Sequence, residues 1–198
     1  MIQLKSRHQV LAWKNTTVDK ELVNDLVTKA LTRMPSKQDL RRCNATLIDM
    51  SIGNRSNLIY RTTLHSSPEG DAGFNPQVLA PWILSLGVRE AAWDENDASH
   101  DWFLREASVE MGLIAGYVTL LAPDMGLGTS FCACINDKFG LSRILGCSPE
   151  LFIGIGIENT ESTQFYCPVR NNFYDVANDG TGNNPHPKIS LDTFYTVI

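Results

Sequence analysis

The 198-residue sequence lacks most of the signatures that name a chemistry on sight. It has no Gly-Lys-Ser/Thr run, which excludes a P-loop, and no Gly-x-Ser-x-Gly elbow, which removes the nucleophile turn of the α/β-hydrolases. None of its four histidines, His8, His65, His100 and His186, stands near another at metal-ligand spacing. The five cysteines (Cys43, Cys132, Cys134, Cys147, Cys167) are odd in number, and a single residue separates Cys132 from Cys134, closer than zinc ligands usually stand. No metal site is expected. The first fifteen residues carry Lys5, Arg7 and Lys14 without the apolar core of a secretory leader, so free thiols in a reducing cytoplasm are expected. The longest apolar stretch, residues 111–123, is too short to span a bilayer. Charge is also scarce: 20% of residues, with a net charge of −5, too small and too acidic for a nucleic-acid or anionic-membrane binder.

What is present is ordinary in amount and uneven in placement. Hydrophobic residues make up 43% of the chain, with 14 glycines and 9 prolines, as in an average globular domain. A chain of this length buries roughly 70% of its unfolded surface, so one domain over residues 1–198 is expected, with 164–198 as a C-terminal arm. Residues 1–42 hold nine basic side chains against four acidic ones, whereas residues 89–110 hold seven acidic against two basic. An asymmetry of this kind can mark an anion site. The acidic block itself reads as a solvated loop and helix start, and Arg41 and Arg42 read equally well as a solvated face or as part of a site.

Periodicity places the elements. Leu22, Val23, Leu26, Val27, Ala30 and Leu31 predict a helix over 18–33, with Thr17 as its cap and Met34-Pro35 as its stop. Strands are expected over 45–50, 57–64 and 78–86, with Gly53-Asn54 as a hairpin turn between the first two and Pro81 at an edge or bulge of the third. Residues 101–122 read as a largely buried helix carrying Ser108, Gly112 and Gly116 along one stripe, fit for close approach of another helix of the same subunit or of a second subunit. Residues 130–135 form a short small-residue segment, 136–145 a short helix, and 151–157 a central strand. The tail reads as extended arm or loop, with a helix or strand at 191–197. Helices and strands mix without regular alternation, which favours the α+β class. Gly154-x-Gly156 lies inside a strand and Gly126-x-Gly128 follows a helix, so neither has the context of a dinucleotide-binding turn; the second reads as a helix cap.

The ordered set of segments says more than any one of them. Arg7-His8-Gln9-x-x-x-Trp13 opens the chain, and Pro35-Ser36-Lys37-Gln38-Asp39 ends the first helix. The apolar helix runs into Gly126-Leu127-Gly128, a Leu-Gly-x-x-x-Glu segment leads to Phe152-Ile153-Gly154-Ile155-Gly156, and His186-Pro187-Lys188 stands near the end. In this order the chain resembles the FMN-dependent nitroreductase family over nearly its whole length, least over 51–100. The resemblance implies an α+β fold with a central, mostly antiparallel sheet flanked by helices, assembled as an intertwined homodimer with the cofactor at the subunit interface.

It further implies that Arg7, His8 and Gln9 hold the FMN phosphate and ribityl chain, with His186 and Lys188 completing the phosphate site. Pro35, Ser36, Lys37 and Asp39 match the segment that reaches the flavin across the dimer. Ala133 and Cys134 match the segment whose backbone N–H points at flavin N5. Gln9 stands where serine is usual, Leu11 where a second basic residue is common, and Asp39 where asparagine is usual; a carboxylate accepts but does not donate. The implied activity is transfer of electrons from NAD(P)H through FMN to a small-molecule acceptor such as a nitroaromatic or quinone. The flavin carries the chemistry, which accounts for the absence of a catalytic triad. Two alternatives stay open: a flavin-binding protein without reductase turnover, and a non-enzymatic interaction domain using its basic N-terminal face.

Overall fold

The computed structural model describes residues 9–10, 12–36, 41–53, 56, 59, 64–66, 72–74, 76–89, 99–133, 135–145, 148–161, 164–167 and 172–175. Its helices are α1 (Lys20–Arg33), α2 (Ser99–Leu121) and α3 (Lys138–Leu145). Its strands are β1 (Cys43–Asp49), β2 (Leu64–Ser66), β3 (Ala72–Phe74), β4 (Trp82–Val88), β5 (Gly128–Cys132), β6 (Pro149–Gly156), β7 (Gln164–Cys167) and β8 (Asn172–Asp175). Four of them form one wholly antiparallel sheet in the order β1-β4-β6-β5; β2 with β3 and β7 with β8 form separate antiparallel pairs. The class is α+β with an antiparallel sheet, as expected, and the β7–β8 pair falls within the expected arm.

The sheet is covered on both faces, which explains why β6 is apolar from Leu151 to Gly156. On one face Leu84, Leu86, Ile153 and Ile155 pack with Val23, Leu26, Val27 and Ala30 of α1 and with Met111, Ile114, Ala115 and Val118 of α2. On the other, Ile48, Ile83 and Phe152 pack with Val78, Ile135 and Leu141. The period-2 alternation of β4 and β6 divides their side chains between these two cores. Buried Trp82 secures the first core by donating its indole N–H to the Val18 carbonyl at 3.0 Å, just before α1.

Several expectations are corrected. The cap of α1 is Asp19, whose carboxylate accepts the Glu21 N–H at 3.1 Å, rather than Thr17; Met34 is extended, as a residue before proline should be. The expected strand over 57–64 and its Gly53-Asn54 turn give way to helix where the chain is described. Gly53, Ser56 and Ile59 are helical, and the Ser56 N–H reaches back one turn to the Ile52 carbonyl at 3.0 Å. Ser56 and Ile59 are the buried positions, three residues apart, and that spacing outweighs the alternation read from the sequence. Leu64 alone of that stretch is seen in a strand. The strand expected over 78–86 begins only at Trp82, after a 3-10 turn over Pro76–Leu79. β4 is central, and a proline without an N–H is not accommodated inside a central ladder, so Pro81 precedes β4 instead of bulging it, as Pro149 stands only at the first position of central β6.

The glycines that imitate nucleotide motifs prove to be packing devices. Gly126 caps the 3-10 turn after α2 in the left-handed region, at φ 72°, as the cap reading predicted. A Cβ on Gly154 would lie 2.8 Å from Gln77 Cα and 2.9 Å from Ala80 Cβ, and one on Gly156 would lie 2.6 Å from Pro81 Cδ and 2.9 Å from Trp13 Cε3. The bare backbone of β6 therefore lets the 76–81 turn and Trp13 lie directly on the sheet. Gly154→Ala is expected to destabilise the fold by about 1–3 kcal/mol through overpacking against backbone. The urea unfolding midpoint measures it, and an unchanged midpoint would contradict this packing account.

Candidate functional site

Four of the sequence-predicted site residues lie among the described ones: Gln9, Pro35, Ser36 and Ala133. Arg7, His8, Lys37, Asp39, Cys134, His186 and Lys188 lie outside the described residues.

Gln9 and Ala133 are brought to the same sheet edge. β5 is an edge strand, and its outward-facing groups are met by the start of the chain. Val10 donates its N–H to Thr129 O at 3.0 Å, the Gln9 side-chain nitrogen donates to Phe131 O at 3.2 Å, and Phe131 N–H donates to Gln9 Oε1 at 2.7 Å. The Gln9 amide thus stands in for one residue of a strand. Ala133, two residues on, is the next position in that outward set; it is exposed, and its N–H has no partner among the described residues. Its carbonyl accepts the Ile135 N–H at 2.9 Å.

Pro35 and Ser36 end α1 at the opposite edge, beside β1, and are gathered into a buried charge network. The Ser36 hydroxyl donates to Glu110 Oε1 at 2.6 Å and accepts the Arg41 N–H at 3.3 Å. Arg42 donates its backbone N–H to Glu110 Oε2 at 2.6 Å and reaches Oε1 with its guanidinium at 3.4 Å. Arg42 is 1% exposed and Glu110 2%. The Arg42 guanidinium lies 4.8 Å from the centroid of the Trp102 ring, a cation–π contact that covers it. Arg41 adopts φ 47°, a left-handed conformation unfavourable for a side-chain-bearing residue. Its guanidinium holds it there by donating to the Leu31 and Met34 carbonyls at 3.1 and 3.3 Å.

The electrostatics follow from this geometry. Burial acts to raise the Glu110 carboxyl, but the hydrogen bonds from Ser36 and the Arg42 backbone, with the Arg42 charge, outweigh it and hold the group below its ordinary 4.5. Cys43 opens β1 beside them. Burial first, then the charge of Glu110 and a hydrogen bond to it, push that thiol up to about 11, so it stays protonated and unreactive near neutral pH. Glu110, read from the sequence as part of a solvated acidic block, and Arg42, read there as undecided, are corrected here: the two form a buried pair.

Gln9 and Ala133 thus lie at the β5 edge of the sheet, and Pro35–Ser36 lies beside the entry to β1, the opposite edge. Between them runs α2, whose outer face is open. Val109 is 61% exposed and Trp102 40%, and a Cβ on Gly112 or Gly116 would meet nothing within 4 Å. The helix expected to be largely buried is buried on one face only, and the small-residue stripe crosses no helix of the described chain. Among the described residues no group of three or more His, Cys, Asp or Glu is placed to hold a metal, and no helix is long and apolar enough to cross a membrane.

The sequence matches no protein-family model and no curated protein. The structure does match solved structures. A nitroreductase-family protein from Streptococcus pneumoniae TIGR4 superposes with a TM-score of 0.61 at 17% identity, covering 78% of this chain and 88% of that one. An FMN and NADPH-dependent nitroreductase from Sphingopyxis sp. strain HMH gives 0.62 at 15% identity, covering 97% and 95%. An enone reductase of a gut-bacterial fatty acid saturation metabolism gives 0.60 at 15% identity, covering 78% and 86%. The chain has the nitroreductase fold.

Glu110→Gln is expected to cost about 3 kcal/mol of folding stability near pH 7, because it removes one partner of a buried pair. The folded carboxyl titrates below 4.5, so the stability carried by its charge is present above that pH and is lost as pH falls through the depressed folded value. Urea midpoints near pH 7 and near pH 3 check this; a gap between wild type and variant that fails to narrow in acid would contradict it.

Proposed function

We propose that this nitroreductase-fold chain is an FMN-dependent oxidoreductase that takes electrons from NAD(P)H and passes them by way of flavin N5 to a nitroaromatic, quinone or other small acceptor. The observation that carries the reading is the fold likeness over 97% of the chain to a protein described as FMN and NADPH-dependent. Neighbours of this fold include both a nitroreductase and an enone reductase, so the acceptor is left as a class. A cytoplasmic setting is part of the proposal, on the cysteine reading of the sequence.

The described residues fit such a cofactor. The exposed Ala133 offers a backbone N–H facing away from the sheet, the kind of donor the resemblance places at flavin N5. Gln9 uses one amide hydrogen and one oxygen lone pair on Phe131 and keeps one of each for a ribityl hydroxyl. Arg7, His8, His186 and Lys188 would hold the phosphate; Pro35, Ser36, Lys37 and Asp39 would approach the ring edge, and Cys134 follows Ala133. Hydride acceptance at N5 and electron delivery to the second substrate are what FMN supplies when bound. The protein's own part is to bind, orient and shield.

A homodimer belongs to the same proposal. The two residue groups stand at opposite sheet edges, and a second copy supplying one of them would complete a site neither chain holds alone. The open face of α2, with Val109, Gly112 and Gly116, is a surface on which two such helices can approach closely.

Purified protein incubated with FMN should show flavin absorption bands that bleach anaerobically on addition of NADH or NADPH. Bands that do not bleach would favour flavin binding without turnover, and a colourless protein that ignores FMN would overturn the proposal. Gly112→Leu should convert the dimer to monomer in light scattering; a dimer that survives it excludes the α2 stripe from the interface.

A further inference from the structure

Glu110 sits on the buried side of α2, where its neighbours are Ala107, Met111 and Ile114. A carboxylate there is costly unless every oxygen is engaged. Both are: Oε1 receives the Ser36 hydroxyl and the Arg42 guanidinium, and Oε2 receives the Arg42 backbone N–H. The carboxylate therefore grips two chain segments at once, the Pro35–Ser36 corner after α1 and the entry to β1. Ser36 strengthens the grip by accepting the Arg41 N–H. The single hydroxyl proton of Ser36 is committed to Glu110, so this hydroxyl has none to offer a ligand.

We infer that Glu110 is a positioning residue for the flavin site: its carboxylate, neutralised by Arg42, fixes the Pro35–Ser36 corner against α2, and that corner serves the cofactor through its backbone while the Ser36 hydroxyl serves as the tie. The inference rests on the FMN reading above. Loss of the tie frees the corner to sample other conformations, and the affinity for any ligand that needs one conformation falls by the fraction of time it is lost. The effect passes through the corner, not through contact between Glu110 and the flavin.

The experiment compares FMN affinity, from quenching of flavin fluorescence, with hydrogen exchange at the Arg41 and Arg42 amides in wild type, Glu110→Gln, Ser36→Ala and Ser36→Thr. Glu110→Gln and Ser36→Ala are expected to bind FMN about tenfold more weakly. In Ser36→Ala exchange should quicken at Arg41 while β4 and β6 keep their protection; in Glu110→Gln, which also loses global stability, it should quicken at Arg42 by more than it does in β4 and β6. Ser36→Thr, which keeps the hydroxyl, should restore both measurements. If Glu110→Gln does not fold, Ser36→Ala decides, since it leaves the Arg42–Glu110 pair intact. Weaker binding by Ser36→Ala without faster exchange at Arg41 would make the hydroxyl a direct flavin contact and overturn the inference. So would faster exchange with unchanged FMN affinity. Wild-type protein that ignores FMN overturns the flavin reading and this inference together, whereas wild-type binding with unaffected variants overturns this inference alone.

Discussion

The buried pairing of Glu110 with Arg42 is the constraint around which one whole edge of the molecule is arranged. Neither group can tolerate the interior alone, so the helix that carries one and the loop that carries the other must meet in a single geometry. That meeting ties the Pro35–Ser36 corner after α1, and the chain entering β1, to α2. It also draws together the two halves of an uneven charge distribution: a surplus of positive charge in the first 42 residues and of negative charge in residues 89–110. Elsewhere among the described charges, Lys29 pairs with Asp25 on the open side of α1 at 2.6 Å.

Much of the fold was legible because it rests on periodicity. The helices at 20–33, 99–121 and 138–145 and the central strand at 149–156 follow from spacings visible in the residues themselves. Errors arose where two signals competed. Around Ser56 and Ile59 an alternating pattern suggested a strand, and the three-residue spacing of the buried positions decided for helix. At Pro81 the apolar run was read straight through a residue that cannot donate to a central ladder. The role of Glu110 could have been found: it falls three residues after Ala107 and four before Ile114, on the apolar stripe of its own helix, and a carboxylate in that place demands a cation. Which cation answers it is a fact of tertiary structure, since Arg42 lies 68 positions away.

The candidate site was legible mainly as an ordered set of segments, and the structure adds physical content to part of it. Gln9 was read as a ligand-binding side chain, yet it is also a surrogate strand residue on β5. Ser36 was read as a flavin contact, yet its hydroxyl closes a loop. Both roles depend on partners more than seventy residues distant, which no local pattern discloses. The glycines show the converse. Gly154 and Gly156 look like part of a phosphate loop and in fact make room for Gln77, Ala80, Pro81 and Trp13. A flavin reading that draws on the ends of strands, instead of on these glycines, is consistent with that packing.

The way the chain's beginning lies along β5 has a further consequence, for solubility. An uncovered edge strand is a template on which another chain can add a strand and start an aggregate. Here Val10 and the Gln9 amide occupy the outward groups of Thr129 and Phe131, and Trp13 carries the pairing on to Glu158 beyond the end of β6. The same few residues that approach the candidate site also act as a guard on the sheet. Removal of the segment that holds Gln9, Val10 and Trp13 would uncover the outward carbonyls of Thr129 and Phe131 and return β5 to the state of an open edge.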